Sequence, residues 1–249
     1  MTEKSHLPHF LGLGTQKGGT TTLHQLLASH PQVFLPACKE VHYFDLNHKR
    51  PVEWYAHHFD KAGKDQHCGE ITPFYLYHPE APRRIKALLP NVKLIVLLRD
   101  PVERALSQVF HARKRGFERL EPADALKAEC KRLATKDPYS LQKHSYLSRS
   151  LYLEQLDRYE ALFPSEQLLV MKSETFFEDP SGSWDNLQSF LELQPQKYQT
   201  NMAKANAGEP EGKTIDQLLR DILRKKLLAT AIGVQKRYGF GWDWANKLK

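Results

Sequence analysis

Residues 9–14 (HFLGLG) form an apolar run that stops at glycine, and after a Gly/Thr-rich stretch the chain continues as TLHQLLASH. In that continuation Leu23, Leu26 and Leu27 recur at i, i+3 and i+4, the spacing of one face of a helix. A second unit begins near Asn91, where VKLIVLL is nearly continuous in apolar residues, the pattern of a strand covered on both faces. Pro101 suits the first turn of a helix, and Val102, Ala105, Leu106 and Val109 then keep helical spacing. Residues 167–171 (QLLVM) predict a third strand, set between helix-like segments at 151–162 and 184–191. Strands alternating with helices predict an α/β fold of three layers, a central parallel sheet flanked by helices. Ligands of such sheets sit at the carboxyl ends of strands, and Gly14 and Arg99 both fall at such ends.

Residues 116–146 are more polar and predict a helical insertion. Residues 203–214 (AKANAGEPEGKT) predict a loop, either one that closes over a cofactor or a plain surface connection. No repeat or linker divides the chain, so residues 1–249 are expected to form a single domain.

Composition narrows the function classes. An apolar share of 41% is ample for a buried core. The 36 basic residues exceed 29 acidic ones by seven charges, which favours anionic partners, yet the basic residues are dispersed and no nucleic-acid motif accompanies them. No nucleic-acid partner is therefore expected. The three cysteines, Cys38, Cys68 and Cys130, include no CxxC pair and point to neither a zinc site nor a disulfide framework. The first residues, MTEKSHLPHF, lack a secretory apolar stretch, and no run approaches the roughly 18 apolar residues of a membrane span. A cytoplasmic enzyme without membrane contact is the expectation.

The sharpest chemical signal lies between the first strand and its helix, in Gly14-Thr15-Gln16-Lys17-Gly18-Gly19-Thr20-Thr21-Thr22. Glycines let backbone approach an anion, the amides of Gly18, Gly19, Thr20 and Thr21 would face it from a helix start, and Lys17 adds positive charge. Thr20, Thr21 and Thr22 supply hydroxyls. A Gly-containing turn with a threonine cap is the plainer alternative. The lysine precedes the glycines, so the loop is not a Walker A motif, and there is no GxGxxG. Downstream, Arg99 ends a strand and Ser107 lies two turns into the next helix. Arg99 can grip a phosphate bidentately and Ser107 can add a hydroxyl, unless Arg99 simply pairs with Asp100 at the helix start.

The 14–22 loop resembles the 5′-phosphosulfate-binding loop of sulfotransferases that use 3′-phosphoadenosine 5′-phosphosulfate (PAPS), and residues 97–107 resemble that family's 3′-phosphate-binding segment. Residues 39–45 (KEVHYFD) are similar to the Glu-x-His-Phe-Phe segment of members that act on heparan-type glycans and of their bacterial relatives. The resemblance implies a P-loop-like sulfotransferase fold, PAPS as donor and adenosine 3′,5′-bisphosphate (PAP) as product. It also implies Glu40 as the general base, with His42 as the alternative, because an acceptor hydroxyl attacks only as its proton leaves. Residues 68–75 (CGEITPFY) resemble the family's Glu-Lys-Thr/Ser-Pro-x-Tyr segment, with Ile71 where the glycan-modifying members often carry lysine. Glu70 is then either a second active-site carboxylate or a polar core residue. The aromatic residues Trp54, Tyr55, Phe74, Tyr75 and Tyr77 either line an acceptor cleft or pack in an aromatic core.

Tyr152 matches a tyrosine that helps hold the cofactor, with a core role as the alternative, and Lys213 is the counterpart of a cofactor-loop lysine. The implied reaction is in-line displacement at sulfur, without a metal ion, onto a small-molecule, glycan or carrier-bound acceptor. The rival expectations are a P-loop-like phosphoryl transferase or kinase and a non-catalytic nucleotide- or polyanion-binding module.

Overall fold

The structure, a computed structural model, describes residues 7–198 and 217–248. The chain runs β1 (Phe10–Gly14), α1 (Thr20–Ala28), β2 (Val33–Phe34), α2 (Val52–Ala56), β3 (His67–Ile71), α3 (Phe74–Tyr77), α4 (Ala81–Leu88), β4 (Lys93–Leu98) and α5 (Pro101–Lys114). It continues through α6 (Pro122–Ala134), α7 (Pro138–Lys143), α8 (Tyr152–Glu160), β5 (Leu168–Lys172), α9 (Ser173–Glu178), α10 (Pro180–Leu191), α11 (Gln217–Tyr238) and α12 (Asp243–Lys247). The five strands form one parallel sheet in the order β2-β3-β1-β4-β5. The predicted strands at 9–14, 91–98 and 167–171 are β1, β4 and β5, and the helical insertion is α6 and α7. Sequence patterning missed β2 and β3.

Contacts divide the chain into two compact units, one of residues 1–97 and 155–205, the other of residues 98–154 and 206–249. The first unit holds the sheet. Phe10 of β1, Ile71 of β3 and Ile95 and Leu97 of β4 pack with Leu23, Leu26 and Leu27 of α1 and with Trp184, Leu187 and Leu191 of α10. The apolar face predicted for α1 is thus the face that it buries. Strand β1 pairs in parallel with β3 on one side and β4 on the other, with Phe10 opposite Gly69 and Lys93. This central position brings the loop after β1 beside the end of β4.

The second unit is helical. Val102, Leu106 and Val109 of α5 pack with Ala125 and Leu126 of α6, with Tyr146, and with Leu223 and Leu227 of α11. Asp100 caps α5, accepting from the amides of Val102 (2.8 Å) and Glu103 (3.2 Å), and Pro101 follows at the first helical position. Among the described residues no helix is long and apolar enough to cross a membrane.

Candidate active site

The loop after β1 is built to present backbone rather than side chains. Thr15 donates both its amide and its hydroxyl to the Leu97 carbonyl of β4, each at 2.9 Å, which pins the loop to that strand. Lys17 (φ 69°) and Gly19 (φ 99°) then take left-handed backbone and turn the chain into α1. A Cβ at Gly18 would stand 2.4 Å from Thr15 Oγ1 and 2.8 Å from the Leu97 carbonyl oxygen, so only glycine fits. Ser173 Oγ fixes the far side by donating to the Gly18 carbonyl at 2.8 Å.

One expected donor is unavailable: the Gly18 amide bonds within the loop to the Thr15 carbonyl at 2.9 Å. The anion-facing amides are those of the first turn of α1, which receives no side-chain cap. Thr22 Oγ1 in the same turn is buried and has no hydrogen-bond partner among the described residues. A glycine-lined cradle, an uncapped helix start and a buried orphan hydroxyl together fit a phosphate group.

Residues 39–45 form a bend and turn outside any strand. A network centred on Glu70 holds them. This carboxylate, at the end of β3 and fully buried, accepts from Tyr55 Oη (2.6 Å), Tyr75 Oη (2.9 Å), Thr72 Oγ1 (2.9 Å) and the Val41 amide (3.3 Å). Tyr75 Oη in turn accepts from the amides of Tyr43 (2.7 Å) and Phe44 (3.3 Å). Burial pushes the Glu70 carboxyl above its ordinary range, against the pull of those four donors. Glu70 is thus held inside the first unit by four donors, one of which, the Val41 amide, belongs to the 41–44 turn.

Within that turn His42, itself left-handed (φ 58°), stands between two carboxylates. Its Nδ1 lies 2.9 Å from Asp45 Oδ2 and its Nε2 lies 3.4 Å from Glu40 Oε2. Burial alone would lower its pKa, but hydrogen bonds and charge from Asp45 and Glu40 prevail and raise it to about 9. Asp45 is buried, while Glu40 keeps 39% of its side chain exposed. Lys39 reaches from the same turn to α1, where its Nζ donates to Thr21 Oγ1 at 2.8 Å.

Tyr55, Phe74 and Tyr75 are buried, as core packing predicts, and Tyr43 stacks on Tyr55 with ring centroids 4.3 Å apart. Trp54 and Tyr77 are half-buried. Ile71 is fully buried, and a Cβ on Gly12 would stand 2.8 Å from its Cγ1.

In the second unit, Arg99 and Asp100 lead into α5, which carries Ser107. Tyr152 is fully buried and donates its hydroxyl to the Arg99 carbonyl at 2.7 Å, so it steadies the residue before Asp100. Trp244 Nε1 donates to Asp100 Oδ2 at 2.7 Å. The sequence reading missed Asp45, Lys39 and Trp244. For Asp45 a signal existed, since a carboxylate three residues after a histidine in a turn is within reach of its ring. Lys213 lies outside the described residues, as does the whole 203–214 loop.

Comparisons with known proteins bear on the family and the fold. The sulfotransferase domain family matches residues 7–229. The chain is 29% identical to the membrane-associated sulfotransferase kil1 of Dictyostelium discoideum over 75% of this chain and 56% of that protein. It is 33% identical to human heparan sulfate glucosamine 3-O-sulfotransferase 6, over 76% of this chain and 54% of that one. The chain thus spans about half the length of these curated relatives. Among solved structures, a sulfotransferase from Alicyclobacillus acidocaldarius superposes with a TM-score of 0.80 at 24% identity, covering 97% of this chain and 99% of that one. A mouse sulfotransferase complexed with PAP superposes at 0.60 and 11% identity, covering 90% and 83%. At these identities the structural matches speak for the fold.

Proposed function

The chain belongs to the sulfotransferase domain family, and from that premise we propose that it transfers a sulfuryl group from PAPS to an acceptor hydroxyl, releasing PAP. The observation that carries the assignment is the placement of Glu40 in the first unit. It is an accessible carboxylate with the His42 ring nitrogen Nε2 at 3.4 Å, in the same unit as a glycine-lined, uncapped helix start.

The resemblance assigns the donor-binding residues. The first-turn amides of α1, the Thr22 hydroxyl and Lys17 take the 5′-phosphosulfate, while Arg99 and Ser107 take the 3′-phosphate. The acceptor oxygen attacks sulfur as Glu40 accepts its proton, and the bond from sulfur to the 5′-phosphate oxygen breaks with its electron pair leaving on PAP. Charge growing on that oxygen is met by Lys17 and the helix amides.

His42 does not serve as the base. With a pKa of about 9 it already carries its proton at neutral pH, so it orients Glu40, and Asp45 fixes the ring through Nδ1.

A glycan hydroxyl is the first acceptor class to test, because several relatives are named for glucosamine in heparan sulfate. The test is transfer of sulfur-35 from PAPS to glycan and small-molecule extracts. Labelled product with the unaltered chain and its loss by about 10²-fold or more in Glu40→Gln, with PAP affinity retained, is the expected result. Full activity in Glu40→Gln contradicts the assigned base.

A further inference from the structure

We propose that Lys39 is a catalytic residue whose ammonium group contacts the sulfuryl oxygens during transfer. This rests on the donor and base assignments above.

Lys39 spans the two partners of the reaction. Its Nζ donates to Thr21 Oγ1 at 2.8 Å, in the first turn of α1, where the phosphosulfate is assigned. The same atom lies 3.9 Å from Glu40 Oε1, the group assigned to the acceptor proton. In-line transfer places sulfur between the leaving oxygen, held at α1, and the attacking oxygen, whose proton goes to Glu40. A cation that touches both ends therefore lies alongside the sulfuryl oxygens. Its side chain is 35% exposed and that of Glu40 39%, so the pair is open to a ligand and is no buried ion pair.

The chemistry calls for such a charge. As the old bond to sulfur stretches before the new one is complete, negative charge spreads over the sulfuryl oxygens and the leaving oxygen, and a fixed ammonium there acts mainly on the transition state. The family segment that often supplies a lysine from β3 has Ile71 here, fully buried against Gly12. Lys39 brings positive charge to the same reaction from the 39–45 turn. A purely structural Lys39 would tether Thr21 to the 39–45 turn and act alike on every ligand.

The two roles separate by comparing PAP, which lacks the sulfuryl group, with PAPS. The full chain, Lys39→Met and Lys39→Arg are titrated with each nucleotide by calorimetry, and acceptor-independent release of sulfur-35 sulfate from PAPS is timed. Lys39→Met is expected to hold PAP affinity within about threefold, to weaken PAPS about tenfold, and to slow sulfate release about 10²-fold, the size of losing one fixed transition-state donor. Lys39→Arg keeps the charge, so its sulfate release should recover to within about tenfold of the unaltered chain. Equal weakening of PAP and PAPS in Lys39→Met, or sulfate release within about threefold of the unaltered rate, overturns the role of Lys39 alone. An unaltered chain that binds neither nucleotide overturns the donor assignment, and the Lys39 role with it.

Discussion

Tyr75 donates its hydroxyl to Glu70 Oε1 at 2.9 Å in the interior of the first unit, and Tyr75 Oη itself accepts from the Tyr43 amide at 2.7 Å. One phenol thereby links the end of β3 to the turn that carries Glu40 and His42. Tyr75→Phe removes the link while keeping the ring. It leaves two buried amides and one carboxylate oxygen short of a partner, at a cost of about 1–3 kcal/mol. The melting temperature is expected to fall by several degrees, and sulfate release from PAPS to fall further than PAP affinity does. Unchanged sulfate release in a destabilised Tyr75→Phe would show that the turn keeps its shape without the phenol.

The loop makes a steric prediction. Gly18→Ala puts a methyl group 2.4 Å from Thr15 Oγ1 and 2.8 Å from a backbone carbonyl of β4, and the carbonyl cannot swing aside. PAP affinity measured by calorimetry is expected to drop at least about tenfold, because the loop must shift away from α1. Gly116→Ala is the control. That glycine has positive φ (74°), but among the described residues nothing lies within 4 Å of its added Cβ, so PAP affinity should stay unchanged.

His42 makes the stability of the fold depend on pH with a definite sign. Its folded pKa, about 9, is above the ordinary 6.5, so the folded chain holds this proton more tightly than the unfolded chain does. The stabilisation is fully present below about pH 6.5 and is lost as pH rises through about 9. Melting temperatures of the unaltered chain and His42→Gln should therefore differ most near pH 6 and converge toward pH 10. A gap that stays constant across this range would contradict the imidazolium between Asp45 and Glu40.

Trp244 tests the 3′-phosphate end. Trp244→Phe deletes the 2.7 Å bond to Asp100 Oδ2 and leaves Oδ1 to cap α5. A bond to a carboxylate of this kind is worth about 1.5–3 kcal/mol. PAP binding should weaken while 5′-AMP binding, which needs no 3′-phosphate contact, stays within about twofold. Equal weakening of both nucleotides would tie Trp244 to general stability and not to the Arg99–Asp100 turn.

Much of this was legible along the chain. β1, β4 and β5 are apolar runs, and the helix faces of α1 and α5 follow their leucine and valine spacing. β3 (HCGEI) escaped because Gly69 and Glu70 break its apolar pattern, and Glu70 belongs there only because Tyr55, Thr72, Tyr75 and Val41 converge on it. The Gly/Thr loop and the Glu40 segment were readable as local motifs. The contacts that tune them were not. Lys39 meets Thr21 across 18 residues, and Trp244 meets Asp100 across 144, distances over which one sequence carries no pairing signal. The Gly18 amide was misassigned because whether an amide faces a ligand or closes its own turn depends on backbone angles at Lys17 and Gly19.

The account stands or falls on PAP. Calorimetric titration of the full chain with PAP should give saturable one-to-one binding, at least about tenfold tighter than 5′-AMP, and Lys17→Ala and Arg99→Ala should each abolish it. No heat of binding from folded protein, or binding that survives both substitutions, would contradict it.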